Sequence, residues 1–170
     1  LGHIVEATQA IPYLGAESEG GVIDPTTFET HHEINGLQPT DAVRAWLLKN
    51  LTDAGEIEPY ITPDVPETIT EVNPPPLRSP RSTAMAQRLY TILVDTVHRL
   101  LGEETGHKIQ LLHGVALRPP NITTKDASTH IDPFKRLYYE FQIGNHGDAV
   151  GAATGDHYNL SAPWVHARNE

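Results

Sequence analysis

The sequence predicts an α+β protein. It has an antiparallel sheet, a long helix over residues 82–101 and a second helix over 41–54 packed on one face of the sheet, an extended N-terminal arm and an irregular C-terminal tail. Three observations lead there. "STAMAQRLYTILVDTVHRLLG" repeats its apolar residues at helical spacing from Met85 to Leu101. "KRLYYEFQIGN" alternates instead, with Leu137, Tyr139, Phe141 and Ile143 against Arg136, Tyr138, Glu140 and Gln142. That is the period of a sheet covered on one side and wet on the other. A helical stripe about 100° wide also needs a broad partner, and a sheet face is the usual one.

Taken in order, residues 1–39 form the arm. "GAESEGGVIDPTTFETHHEING" is rich in Gly, Thr and acidic residues and shows no sustained period, while Ile11, Val22, Phe28 and Ile34 punctuate it. Only "HIVEATQAI" suggests a short helix. Such an arm is a linker or a strap that orders on a partner. The core domain covers 40–145. Thr40 is placed to cap the first helix and Asp41 suits its positive end. Val43, Trp46, Leu47 and Leu51 share one face, and Gly55 is the expected stop. "EIEPYIT" and "ETITEV" are short β-prone runs; Pro59 cannot donate to a ladder, so the first is an edge. "NPPPLRSP" reads as a stiff polyproline spacer.

Ser82 then opens the long helix and Gly102 ends it. Its stripe is Met85, Leu89, Ile92, Leu93, Thr96, Val97, Leu100 and Leu101. Burying the seven apolar members is worth roughly 10–20 kcal/mol gross, before conformational entropy. In "HKIQLLHGVALRPP", Ile109, Leu111, His113, Val115 and Leu117 face one way as a strand. A long loop over 118–134 separates it from the alternating run at 136–143. Residues 146–170 are the tail, with Trp164 as its anchor.

Composition narrows the function. The chain has no cysteine, which excludes disulfides, thiolate metal sites and a cysteine nucleophile. No apolar run approaches the ~20 residues of a membrane span, and no basic-then-apolar signal-peptide pattern opens the sequence. The formal net charge is −10, which repels a phosphate backbone. Arg78, Arg81 and Arg88 read as a solvated face. Ten histidines raise the question of a metal, but HExxH, HxH and HxxxH are absent, His31 and His32 are adjacent, and nothing completes a set around His130 and Asp132. His98 falls at the edge of the helical stripe and reads as a boundary histidine; His113 points with the apolar strand residues. Glu17, Ser18 and Glu19 in "GAESEGG" would repel phosphate. Asp148 and Asp156 lack the ligand alternation of an EF-hand. No nucleophile or nucleotide motif appears. The expectation is no catalytic residue, no metal ligand and no cofactor.

The order of elements from Thr40 to Asn145 resembles the tail-terminator and neck proteins of tailed bacteriophages, the head–tail connector or minor capsid group. The segments that carry the resemblance are "DAVRAWLLKNLTDAG", "LRSPRSTAMAQRLYTILVDTVHRLLG", "IQLLHGVALRPP" and "RLYYEFQIGN". It departs from that family in its proline-rich "NPPPLRSP" and its longer arm. The resemblance implies a structural virion protein that is not an enzyme. It would form a homo-oligomeric hexameric ring at the neck or tail end, contact tail-tube and connector proteins, and let double-stranded DNA pass without specific binding. No membrane contact is implied. Interface residues on that reading are Phe28 and Ile34 on the arm, Arg118 and Phe134 at the ends of the long loop, and Trp164. Two alternatives stand beside it: another capsid or decoration protein, and a small histidine-based or metal-assisted enzyme.

Overall fold

The computed structural model describes residues 13–64, 68–113, 133–146 and 156–160. At its centre is a strand, β1 (Leu14–Ile23), within the stretch that reads as an arm. Strand β2 (Ile61–Pro63) pairs with β3 (Ile69–Val72), and β3 pairs with β1. On its other side β1 meets β4 (Gln110–His113) and β5 (Asp156–Leu160). All pairings are antiparallel, and β2 lies at the edge, where a proline-flanked run belongs. Composition hides β1 because "ESEGG" is acidic and glycine-rich. One of those glycines is required by packing: a Cβ on Gly20 would lie 2.5 Å from Cγ of Leu111.

Two helices cover one face, as expected: α1 (Pro39–Asn50) and α3 (Pro80–Thr105). Val43 and Leu47 of α1 and Val94, Val97 and Leu101 of α3 pack with Val22, Ile61, Val72 and Leu111 of the sheet. The α1 ends differ from expectation. Thr40 is not its cap; the residue is buried, and its hydroxyl lies 3.0 Å from that of Thr70. The helix stops at Asn50, and Gly55 sits inside a separate short helix, α2 (Ala54–Ile57), which leads into a 3₁₀ turn (Glu58–Tyr60). Arg44 ties α1 to that turn through Glu58.

Helix α3 starts one turn earlier than Ser82. Ser79 is the cap, with its oxygen accepting from the Ser82 amide at 3.4 Å, and Pro80 takes the first helical position. Replacing Ser79 by alanine is expected to cost about 0.5–1 kcal/mol, read as a lower urea midpoint at unchanged slope.

The face that α3 buries is rotated from the predicted stripe. Thr83, Gln87, Tyr90, Val94, Val97 and Leu101 turn inward, whereas Met85, Leu89 and Ile92 are exposed. Hydrophobic periodicity could not see this, because the inward polar groups find partners. Thr83 Oγ1 donates to the carbonyls of Leu14 and Ser79, and Gln87 Nε2 donates to Val72 O at 3.1 Å. Tyr90 meets Tyr60 edge to face, and burial raises its hydroxyl pKa.

The largest correction concerns the alternating run. Residues Pro133–His146 are a helix, α4, with Phe134, Leu137, Tyr138 and Phe141 exposed. The expected packing of the long-helix stripe on the Phe141 side of this run is therefore not formed, and Leu89 and Phe141 are both exposed. Phe134, Leu137, Tyr138 and Phe141 recur at i, i+3, i+4 and i+7, so the segment carried a helical period as well as a period of two. Pro133 at the first position was the signal that decides between them.

Candidate functional site

The face of the sheet opposite α1 and α3 carries the polar residues. Side chains alternate along a strand. Since Val22 points into the core, Glu17 and Glu19 point away from it. Residues paired directly across antiparallel strands share a face, so Glu71 joins Glu19, His157 joins Glu17, and Asn159 lies beside them opposite Gly15. Each member is held. His157 Nε2 lies 3.2 Å from Glu19 Oε1, and Asn159 Nδ2 donates to Glu17 Oε1 at 2.7 Å. Thr62 Oγ1 donates to Glu71 Oε2 at 3.0 Å, and Asn73 Nδ2 donates to Thr62 Oγ1 at 3.1 Å.

A cavity of about 330 Å³ opens beside this cluster, bounded by Tyr13, Ala16, Glu17, Asn73, Pro74, Pro76 and Asn159. Pro74 and Pro76 of "NPPP" thus form an apolar wall next to the carboxylates. The Arg78 guanidinium stacks 4.7 Å above the Tyr13 ring at the same end. Glu19 and Glu71 stand directly opposite one another on the sheet. Like charges in that arrangement destabilise a sheet, so stability alone does not account for the pair. The donors are hard oxygens, the chemistry of a divalent cation such as Mg²⁺. Among the described residues, however, no three His, Asp or Glu side chains gather closely enough to hold one.

The residues singled out in the sequence lie elsewhere. Ile34 is in the core, packed with Val22 and Val43, and does not form an exposed contact. Phe28 is 62% exposed at a turn with a left-handed φ of 60°, and Phe134 is 80% exposed on α4. The turn is built by Asp24, whose carboxylate accepts from the Thr26 and Thr27 amides and is thereby held below its ordinary pKa. Arg118, Trp164, His130, Asp132 and Asp148 lie outside the described residues. His98 is not at a boundary: it is fully buried in α3, and its pKa is lowered to about 4 by desolvation. The Val94 carbonyl one turn back works against that shift, but from outside hydrogen-bonding geometry, so neither ring nitrogen has a partner among the described residues. The sequence signal for the true cluster was parity. "ESE", "TEV" and "HYN" each place polar residues two apart or singly between apolar ones in β-prone surroundings.

No protein-family model matches the chain, and no curated protein sequence does. Solved structures do. The glutamate–cysteine ligase of Francisella tularensis, in complex with AMP, superposes with a TM-score of 0.57 at 16% identity, covering 95% of this chain and 29% of that one. A bifunctional glutathione synthetase from Pasteurella multocida gives 0.51 at 16% identity, covering 98% of this chain and 20% of that one. The chain thus spans under a third of the length of either neighbour, and at this identity the likeness is one of fold. It overturns the resemblance to tail-terminator and neck proteins, and with it the virion location and the reading of a subunit that does not catalyse. The fold of this chain is thus found within part of a glutamate–cysteine ligase and of a bifunctional glutathione synthetase.

Proposed function

We propose that the chain is part of a ligase that joins a carboxylate to an amine, with the acidic face of the sheet as its active surface. The observation that carries this is the cluster of Glu17, Glu19, Glu71, His157 and Asn159 on the sheet face opposite α1 and α3, beside an apolar-walled cavity. The fold it shares with glutamate–cysteine ligase and glutathione synthetase supports the same reaction class. Glutamate and cysteine are the substrates the first neighbour's name points to.

The residues suit such a reaction. An incoming amino acid arrives as an ammonium ion, which three carboxylates attract. It must lose a proton before nitrogen can attack a carboxyl carbon, and the imidazole of His157 is the general base that this face offers among the described residues. Glu19 fixes that imidazole through Nε2. Asn159 offers a directional amide for a substrate carboxylate, and the proline wall excludes water from one side. Amide formation in water also needs an activated carboxylate, for which a nucleoside triphosphate is the usual source. The AMP bound by the first neighbour is consistent with that need.

The test is product formation from glutamate, cysteine and ATP, followed by mass spectrometry, together with AMP binding by calorimetry. Product formation that falls at least tenfold in Glu19→Gln, but not in Phe28→Ala, supports the proposal. A folded wild-type protein that neither binds AMP nor forms the amide overturns it.

A further inference from the structure

Strands β4 and β5 lie end to end on the same side of β1. Gly20 and Gly21 pair with β3 and with β4, so these two flank β1 on opposite sides; Ser18 likewise pairs with β3 and with β5. The ladder runs from Gln110 opposite Ile23 to His113 opposite Gly20, then resumes with Asp156 opposite Ser18. Among the described residues, β4 ends at His113 and β5 begins at Asp156, which leaves a break between them opposite Glu19.

The break is closed by side chains on the helix-covered face. The Ser18 hydroxyl donates to Asp156 Oδ1 at 2.6 Å, and its oxygen lies 3.1 Å from His113 Nδ1. The same Nδ1 lies 3.0 Å from the Glu19 carbonyl oxygen. A backbone carbonyl only accepts, and the single hydroxyl proton of Ser18 is engaged with Asp156. Nδ1 therefore carries the ring proton and shares it between the Glu19 carbonyl and Ser18 Oγ. The imidazole of His113 thus bonds the Glu19 carbonyl at the end of β4. Ser18 itself is buried, so this link is shielded from competing water.

The functional consequence lies on the other face. Glu19 is the residue opposite the break, and His157 follows Asp156 directly. The Glu19–His157 approach of 3.2 Å therefore depends on where Asp156 anchors the start of β5, which among the described residues pairs with β1 alone. We propose that Ser18 is a positioning residue that sets the Glu19–His157 pair by clasping the ends of β4 and β5 across the break. Its bearing on turnover rests on the ligase reading above; the clasp itself does not.

The experiment compares wild type, Ser18→Ala and Ser18→Thr, the last of which keeps the hydroxyl on a strand-compatible side chain. Amide hydrogen exchange and the ring NMR signals of His157 are read first, then kcat and KM. In Ser18→Ala, exchange over 156–160 is expected to quicken at least tenfold while α3 stays protected. The His157 ring signals move, and kcat falls about tenfold with a smaller change in KM. Ser18→Thr restores all of these. Unchanged exchange over 156–160 overturns the clasp, as does acceleration spread equally over α3, which would mark a merely structural serine. Local acceleration with unmoved His157 signals, or with full kcat, overturns the positioning role. A wild type without ligase turnover sinks the ligase reading only, and the exchange and NMR readouts still decide the clasp.

Discussion

Replacing Gly102 by alanine is expected to destabilise the protein by about 3 kcal/mol, the upper end of the usual range for overpacking. The sequence suggests that Gly102 stops the long helix. In the structure the helix runs on to Thr105, and Gly106 provides the left-handed cap, with φ 74°. Gly102 serves a different purpose. The chain leaving the cap folds back across it, and the His107 amide donates to the Gly102 carbonyl at 2.9 Å. A Cβ at Gly102 would sit 2.6 Å from the His107 carbonyl oxygen and 3.1 Å from the Ile109 nitrogen. Both are backbone atoms and cannot swing aside as a side chain would. The cost is paid by moving the segment that enters β4, which carries Ile109 and Leu111 into the core. Urea titration measures the effect as a lower midpoint at unchanged slope. A loss under 0.5 kcal/mol would show that this close approach is unimportant.

The second large effect concerns pH. His98 is buried and neutral, with a pKa of about 4 against about 6.5 in an unfolded chain. Between those values the unfolded chain binds a proton that the folded one refuses. Stability is therefore complete above about pH 6.5 and declines as pH falls towards 4, by about 3 kcal/mol from this residue. Desolvation also lowers the pKa of His32, which adds to the same trend. The informative quantity is thus the difference between wild type and His98→Leu in thermal or urea unfolding at pH 7 and at pH 4.5. Leucine removes two ring nitrogens that lack partners among the described residues, so at pH 7 the variant should equal or exceed wild type. At pH 4.5 its advantage should grow by about 2–3 kcal/mol. A constant difference at both pH values would mean that His98 does not contribute to the acid sensitivity.

What sequence alone determined was the class of fold and the elements with strong local signals. The long helix was legible because its apolar period runs over many residues, although its cap is Ser79 and not Ser82. The short strand around Ile69–Val72 was legible from its β-branched residues, and the edge position of β2 from its prolines. Where two periods fit one segment, as at Pro133–His146, local pattern did not choose correctly between helix and strand. Nor did it show which face of the long helix turns inward, because Thr83, Gln87 and Tyr90 become good interior residues only through partners distant in sequence.

The candidate site belonged almost wholly to tertiary structure. Glu17 and Glu19 lie far along the chain from Glu71 and from His157, and each alone reads as a solvated polar residue. They become a site only when β3 and β5 take their registers on either side of β1. That register follows from burying the opposite face beneath the helices. Slipping a strand by one residue would turn its polar and apolar sides over. Packing of the covered face therefore decides which carboxylates meet on the open one.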